Sequence, residues 1–261
     1  MHHANCLKIT ERKNTIFLKI LVQTSPISSE DQQDVLNSRL LYYDLRFRNI
    51  LKTIDPTYEP EMHALIANFE AARQSSSTSM KQTLVENYTD HLNASFGEHL
   101  QLKLDEQYLN KEILMEEWYF QQLLPHLQPG LAAEVAGFLP KYRHALSAPQ
   151  LDEKYEVFTD IEENFSQELL DLLDAQPESV ELLNAHLIFF KEYLQYLLER
   201  GGVAEFSDDV KRLLVDVDLA LSGSDRKPKL MMLDRFDDLE QPFGRILNLK
   251  IDEFEISKFS V

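Results

Sequence analysis

From Leu151 to Leu172 the large apolar residues Leu151, Tyr155, Phe158, Ile161, Phe165, Leu169 and Leu172 return at intervals of three and four. That period fits one face of an α-helix and neither face of a β-strand, where side chains alternate every second residue. The stripe predicts one continuous helix whose apolar side must be buried. Its other side carries Asp152, Glu153, Glu156, Asp160, Glu162, Glu163, Glu168, Asp171 and Asp174, with Lys154 as the single cation. A chain with this segment has to find other helices to cover it and has to carry an acidic outer surface.

The next segment is apolar around most of its circumference: Val180, Leu182, Leu183, Leu187, Ile188, Phe189, Phe190, Tyr193, Leu194, Tyr196, Leu197 and Leu198 leave a narrow polar strip. A helix of this kind belongs at the centre of a bundle. Pro177 before it and Gly201-Gly202 after it are expected first-turn and C-terminal residues. Ser207-Asp208-Asp209 then predicts the start of an amphipathic helix through Val210, Leu213, Leu214, Val217 and Leu221, ending near Gly223.

Toward the N-terminus, Ser28-Ser29-Glu30-Asp31 predicts a helix start, with Asp55-Pro56 and Pro60 closing that helix after Thr53. A second helix is expected over 60–73, followed by the Ser-rich run Gln74–Ser79, read as a hinge. Residues 1–79 are therefore read as an N-terminal segment, a β-hairpin plus two helices, and 80–261 as an acidic helical domain. With seven glycines in 261 residues, helix is favoured over turn-rich β architecture. The fold class expected is mainly α, a multi-helix bundle or array.

Three stretches alternate instead. Thr15–Val22, Leu100–Leu104 and Leu247–Ile251 with Phe254 and Ile256 read as strands, giving a small β element formed by the N- and C-terminal segments and the middle of the chain. Glu112-Ile113-Leu114 with Phe120 resembles Glu181-Leu182-Leu183 with Phe189 at an offset of 69 residues. Nothing else returns at that interval, so no repeat is read from it.

The formal net charge is -18, and it is uneven: residues 1–54 hold eight Lys or Arg against five Asp or Glu, leaving -21 on residues 55–261. Such a surface repels phosphate backbones, so no direct nucleic-acid binding is expected. The lone Cys6 makes no disulfide within one chain, which fits a reducing cytoplasm. No apolar run approaches the roughly 20 residues of a membrane span, and no membrane association is expected.

The eight histidines form no Glu-x-x-His pair and no His-Glu-x-x-His motif, and one cysteine excludes thiolate zinc within the chain. No cofactor, metal or catalytic residue is predicted. Asp234-Arg235-Phe236-Asp237-Asp238 is read as a solvated helix face in which Arg235 pairs locally, not as a magnesium site. His186 falls inside the apolar central helix, where a histidine can hold a ligand, act as a base or titrate as a switch, and more often is a satisfied core group. Trp118-Tyr119-Phe120 puts three rings on consecutive helical positions, which point three ways.

These features support protein binding without catalysis: an adaptor, regulatory or chaperone-like chain meeting a basic protein partner. Trp118, Tyr119, Glu156, Asp160 and Glu163 are the candidate interaction surface. The alternative is an enzyme or a small-molecule or metal-binding protein with an interhelical pocket around His186.

Overall fold

In a computed structural model of the chain, which describes residues 29–174, 179–200, 206–237, 239 and 243–259, the regular elements are helical. They are α1 (Ser29–Leu51), α2 (Glu59–Gln74), α3 (Thr78–Asn87), α4 (Ala94–Leu123), α5 (Pro129–Ser147) and α6 (Leu151–Glu163). There follow α7 (Gln167–Asp174), α8 (Val180–Arg200), α9 (Ser207–Ser222), α10 (Arg226–Asp237) and α11 (Phe243–Lys258). Among the described residues there is no strand. The hairpin expected before residue 23, together with Cys6, Pro177, Gly201 and Gly202, lies outside the described residues.

The small β element is thus corrected where it can be seen. Leu100–Leu104 lies in α4 and Leu247–Ile256 in α11. Leu100 (1% exposed) and Leu104 (6%) are buried one helical turn apart, while Leu102 between them is 57% exposed. Three leucines two apart look like a strand, but only the outer pair, four residues apart, belongs to the core.

Local chemistry sets the boundaries. After α1, the Asp55 carboxylate accepts from Thr57 N at 2.8 Å and Pro56 opens a short 3-10 turn, so α2 starts afresh at Glu59. Ser77 Oγ accepts from Met80 N and begins α3; Asn93 Oδ1 accepts from Ser95 N at the head of α4. The apolar stripe from Leu151 is not one helix. Asn164 donates to the Asp160 carbonyl at 2.7 Å, closing α6, and Ser166 Oγ accepts from Leu169 N, opening α7. At both ends an orphan backbone group finds its hydrogen-bond partner in a side chain of the short break, the Asp160 carbonyl in Asn164 and the Leu169 N–H in Ser166.

The described residues form two compact units. One contains those up to Glu112 and from Leu249 onward; the other is Ile113–Asn248. The divisions fall inside α4 and α11. In the first unit Leu40, Phe47, Met62, Phe69 and Phe96 form the core, with Phe47 edge-on to Phe69 at 5.1 Å. In the second, α8 is the central helix: Leu187, Tyr193, Leu194 and Leu197 are buried and Phe190 stacks on Phe236 at 4.1 Å.

Three helix pairs share one construction. In α2/α3, α5/α6 and α9/α10, the second helix starts four residues after the last residue of the first: Gln74 and Thr78, Ser147 and Leu151, Ser222 and Arg226. The buried positions coincide: Met62, Leu65, Phe69 and Ala72; Val135, Phe138, Tyr142 and Ala145; Val210, Leu213, Val217 and Ala220. In each pair the fourth residue of the second helix is a buried lysine: Lys81, Lys154 or Lys229. Lys154 Nζ donates to the Leu146 carbonyl at 2.5 Å and Lys229 Nζ to the Ala220 carbonyl at 2.7 Å, so each closes the end of the helix before it. Lys81 donates instead to Gln33 Oε1 (2.9 Å) and Asn37 Oδ1 (2.6 Å) on α1.

Each pair also carries an ion pair back to the long helix that precedes it. Glu70 meets Arg48 of α1, Arg143 meets Glu117 of α4 at 3.0 Å, and Asp218 meets Lys191 of α8 at 2.7 Å. The chain contains a repeat after all, with offsets of 73 residues from Lys81 to Lys154 and 75 from Lys154 to Lys229.

Candidate interaction surfaces

The acidic face of α6 is created by an inward turn of its single cation. Because Lys154 is spent on the Leu146 carbonyl, its charge does not reach solvent beside Asp152, Glu156, Asp160 and Glu163, which are all exposed. Among the described residues no cation lies within ion-pair distance of Asp152, Glu156 or Glu163. Asp160 has a partner, Lys141 of α5 at 3.4 Å. Glu162, also on α6, is buried.

The aromatic triplet sits on α4. Trp118 is half-buried and meets Phe189 of α8 edge-on at 5.9 Å; Tyr119 and Phe120 are buried. Burial alone pushes the Tyr119 phenol well above its ordinary range. His186 is buried on α8 with its ring 5.7 Å from that of Tyr119. The structure therefore places Tyr119 beside His186 in a packed interior, and Glu156, Asp160 and Glu163 together on one exposed helix face. Asp234 is exposed, and Arg235 reaches Asp216 of α9 at 2.5 Å instead of a neighbour on its own helix. Among the described residues no group of three or more His, Cys, Asp or Glu is arranged to hold a metal ion, and no helix is long and apolar enough to cross a membrane.

A second surface lies in the first unit. Between α2, α3 and the start of α4 is a cleft of about 570 Å³, within the range of ligand sites. Leu65, Met80, Leu84 and Phe96 give it apolar walls, and Glu61, Asn68, Asn87 and His91 give it polar ones. Tyr88 lines it too; burial raises its phenol to about 12, and its ring lies 5.3 Å from Tyr43 and 5.5 Å from Phe47.

Sequence reading did not point to this cleft. The repeat does, because its positions can be compared across the three pairs. Asn68 and Asn87 correspond to Lys141 and Asp160 in α5/α6, and to Asp216 and Arg235 in α9/α10. In both other pairs these positions form an ion pair across the two helices.

Set against known protein families, characterised proteins and solved structures, the chain matches none.

Proposed function

We propose that this chain works by binding other proteins, and that the exposed face of α6 docks a basic partner. The observation that carries the reading is the burial of Lys154. The only cation of the helix caps its neighbour, so Asp152, Glu156 and Glu163 meet solvent with no cation among the described residues in ion-pair reach. Exposed acids attract a basic surface over about 8 to 10 Å at physiological ionic strength and set its approach more than its final affinity. The scaffold suits this use, since repeated helix pairs can hold a charged face on rigid elements while its residues vary.

A lysine-rich peptide, fluorescently labelled and titrated with the full chain at rising salt, tests the reading. Binding should weaken steeply with salt, and Glu156→Lys with Glu163→Lys should reduce it much more than Asp208→Lys with Asp209→Lys on α9. Equal losses from both double variants would mean that overall charge, and not α6, attracts the peptide.

A further inference from the structure

We propose that the cleft between α2 and α3 binds an extended peptide of a partner protein, with Asn68 and Asn87 holding its backbone amide groups. This goes beyond the reading of α6 and does not depend on it: the cleft belongs to the other unit and uses uncharged groups.

Lys141–Asp160 and Asp216–Arg235 each tie the second helix of a pair to the first, with their charges exchanged. Exposed pairs like these contribute little to stability, about 0.2 to 1 kcal/mol. Their effect is steric and electrostatic: in each, one long side chain, Lys141 or Arg235, reaches across the groove between the helices to an aspartate. At the same two positions the first pair has two neutral amides and no lysine or arginine to cross between the helices, and there the groove is open as a cleft. The side chains of Asn68 and Asn87 make no hydrogen bond within the described residues, and Asn87, at the end of α3, does not cap the turn that follows.

The chemistry of the lining selects the occupant. Among the described residues that line the cleft there is no Lys or Arg, and a phosphate or carboxylate entering it encounters Glu61. A side-chain amide offers one acceptor and two donors, which complements a peptide unit with its one N–H and one C=O. The apolar part of the lining, Met80 and Leu84 over the edges of the buried Leu65 and Phe96, suits apolar side chains carried by an extended strand. The ten residues of α3 give a groove of about 15 Å, enough for about four or five extended residues. Glu61 makes a neutral or basic peptide with apolar side chains the fitting occupant.

A random heptapeptide display library selected against the full-length chain is the test, followed by titration of the selected sequences as labelled synthetic peptides. Asn68→Ala and Asn87→Ala should each weaken binding about tenfold. Asn68→Lys with Asn87→Asp, which installs the pair found at Lys141 and Asp160, should abolish it without lowering the melting temperature. N-methylation of a central peptide bond in the ligand should weaken binding similarly, and Glu156→Lys with Glu163→Lys should leave it unchanged. The proposal is overturned if the library yields no binder, if the selected peptides bind the two alanine variants like the wild type, or if only the α6 substitutions reduce binding. That last outcome would leave the α6 reading standing. Should the paired substitution fail to fold, the single alanine variants and the N-methylated peptide still decide the matter.

Discussion

Lys229 donates from Nζ to the carbonyl oxygen of Ala220 at 2.7 Å while its whole side chain is withdrawn from water. Burial holds its ammonium below the usual lysine range, so the hydrogen bond to the end of α9 is what makes this placement tolerable. Lys229→Ala would leave a carbonyl unpaired and a space where the aliphatic stem packs. The expected loss is about 2 to 4 kcal/mol in urea denaturation. Lys154→Ala should behave alike, because it performs the same service for α5. A loss below about 0.5 kcal/mol for both would mean that the interior position is incidental.

Tyr88, Tyr119 and Tyr142 should make the fold sensitive to alkali. Desolvation lifts all three phenols, Tyr88 to about 12, and for Tyr142 the neighbouring Glu116 adds to the effect. In the unfolded chain a phenol ionises near 10, so between about 10 and 12 the unfolded state gives up protons that the fold retains. The stability that these groups contribute is complete below pH 10 and declines as the pH climbs. Melting temperatures measured from pH 9 to 11.5 should fall, and Tyr88→Phe should flatten the decline. A profile that is level across that range would contradict the burial described.

Lys111 is a shared cation. Its Nζ lies 2.9 Å from Glu255 and 3.5 Å from Glu112; burial acts to lower its pKa, and these carboxylates more than offset that, leaving it above the ordinary lysine range. Lys111→Met removes the partner of two acids and should cost about 3 kcal/mol, more than Glu255→Gln, which removes only one carboxylate charge. Lys111→Met with Glu255→Leu should recover part of that loss. A double-mutant cycle by chemical denaturation measures the coupling, and strict additivity would sink the idea.

The break between α6 and α7 depends on one ring and one carboxylate. Phe165 lies 5.1 Å from Phe138 and 5.6 Å from Phe120, while Glu134 accepts from Ser166 N and from its hydroxyl, each at 2.7 Å. Phe165→Ala should destabilise by about 3 to 5 kcal/mol and Ser166→Ala by about 1 kcal/mol. Thermal denaturation separates the two. Equal effects would mean that the ring is not the anchor.

Much of the helical framework was legible because burial imposes a period. The stripe from Leu151, the apolar girth of α8 and the proline-marked gap between α1 and α2 follow directly from side-chain type. Misreadings arose where period two and period four share residues, as at Leu100, Leu102 and Leu104: without knowing which leucine faces solvent, alternation and a helical turn look the same. The break at Asn164 was hidden because Phe165 continues the apolar rhythm across it. Of the candidate site, the acids of α6 could be read as a face, but the inward turn of Lys154 could not. In sequence it is the one residue that softens that face.

The repeat escaped for a different reason. Beyond the buried lysine and the apolar spacing, its units share reciprocity more than identity: Glu70 with Arg48, Arg143 with Glu117, Asp218 with Lys191. Aligned position by position, only the apolar spacing and the one lysine return, which many helical segments share; the reversed sign at Arg143 makes sense only when partners are seen together. The asparagines of the cleft were equally silent, since what sets them apart is only the absence of charge and of a long side chain like that of Lys141 or Arg235.

The alternation of sign has a bearing on how such a chain avoids tangling with itself. A polypeptide holding three look-alike helix pairs risks docking one of them on the long helix meant for its neighbour. Here an exchange between adjacent segments would set Arg143 against Lys191, Asp218 against Glu117, Glu70 against Glu117 or Arg143 against Arg48. Every one of those encounters is repulsive, so a wrong assembly would forgo an attraction and incur a penalty in the same step. Only the first and third pairs could be traded without that conflict, and they are the ones the chain keeps farthest apart in its own length.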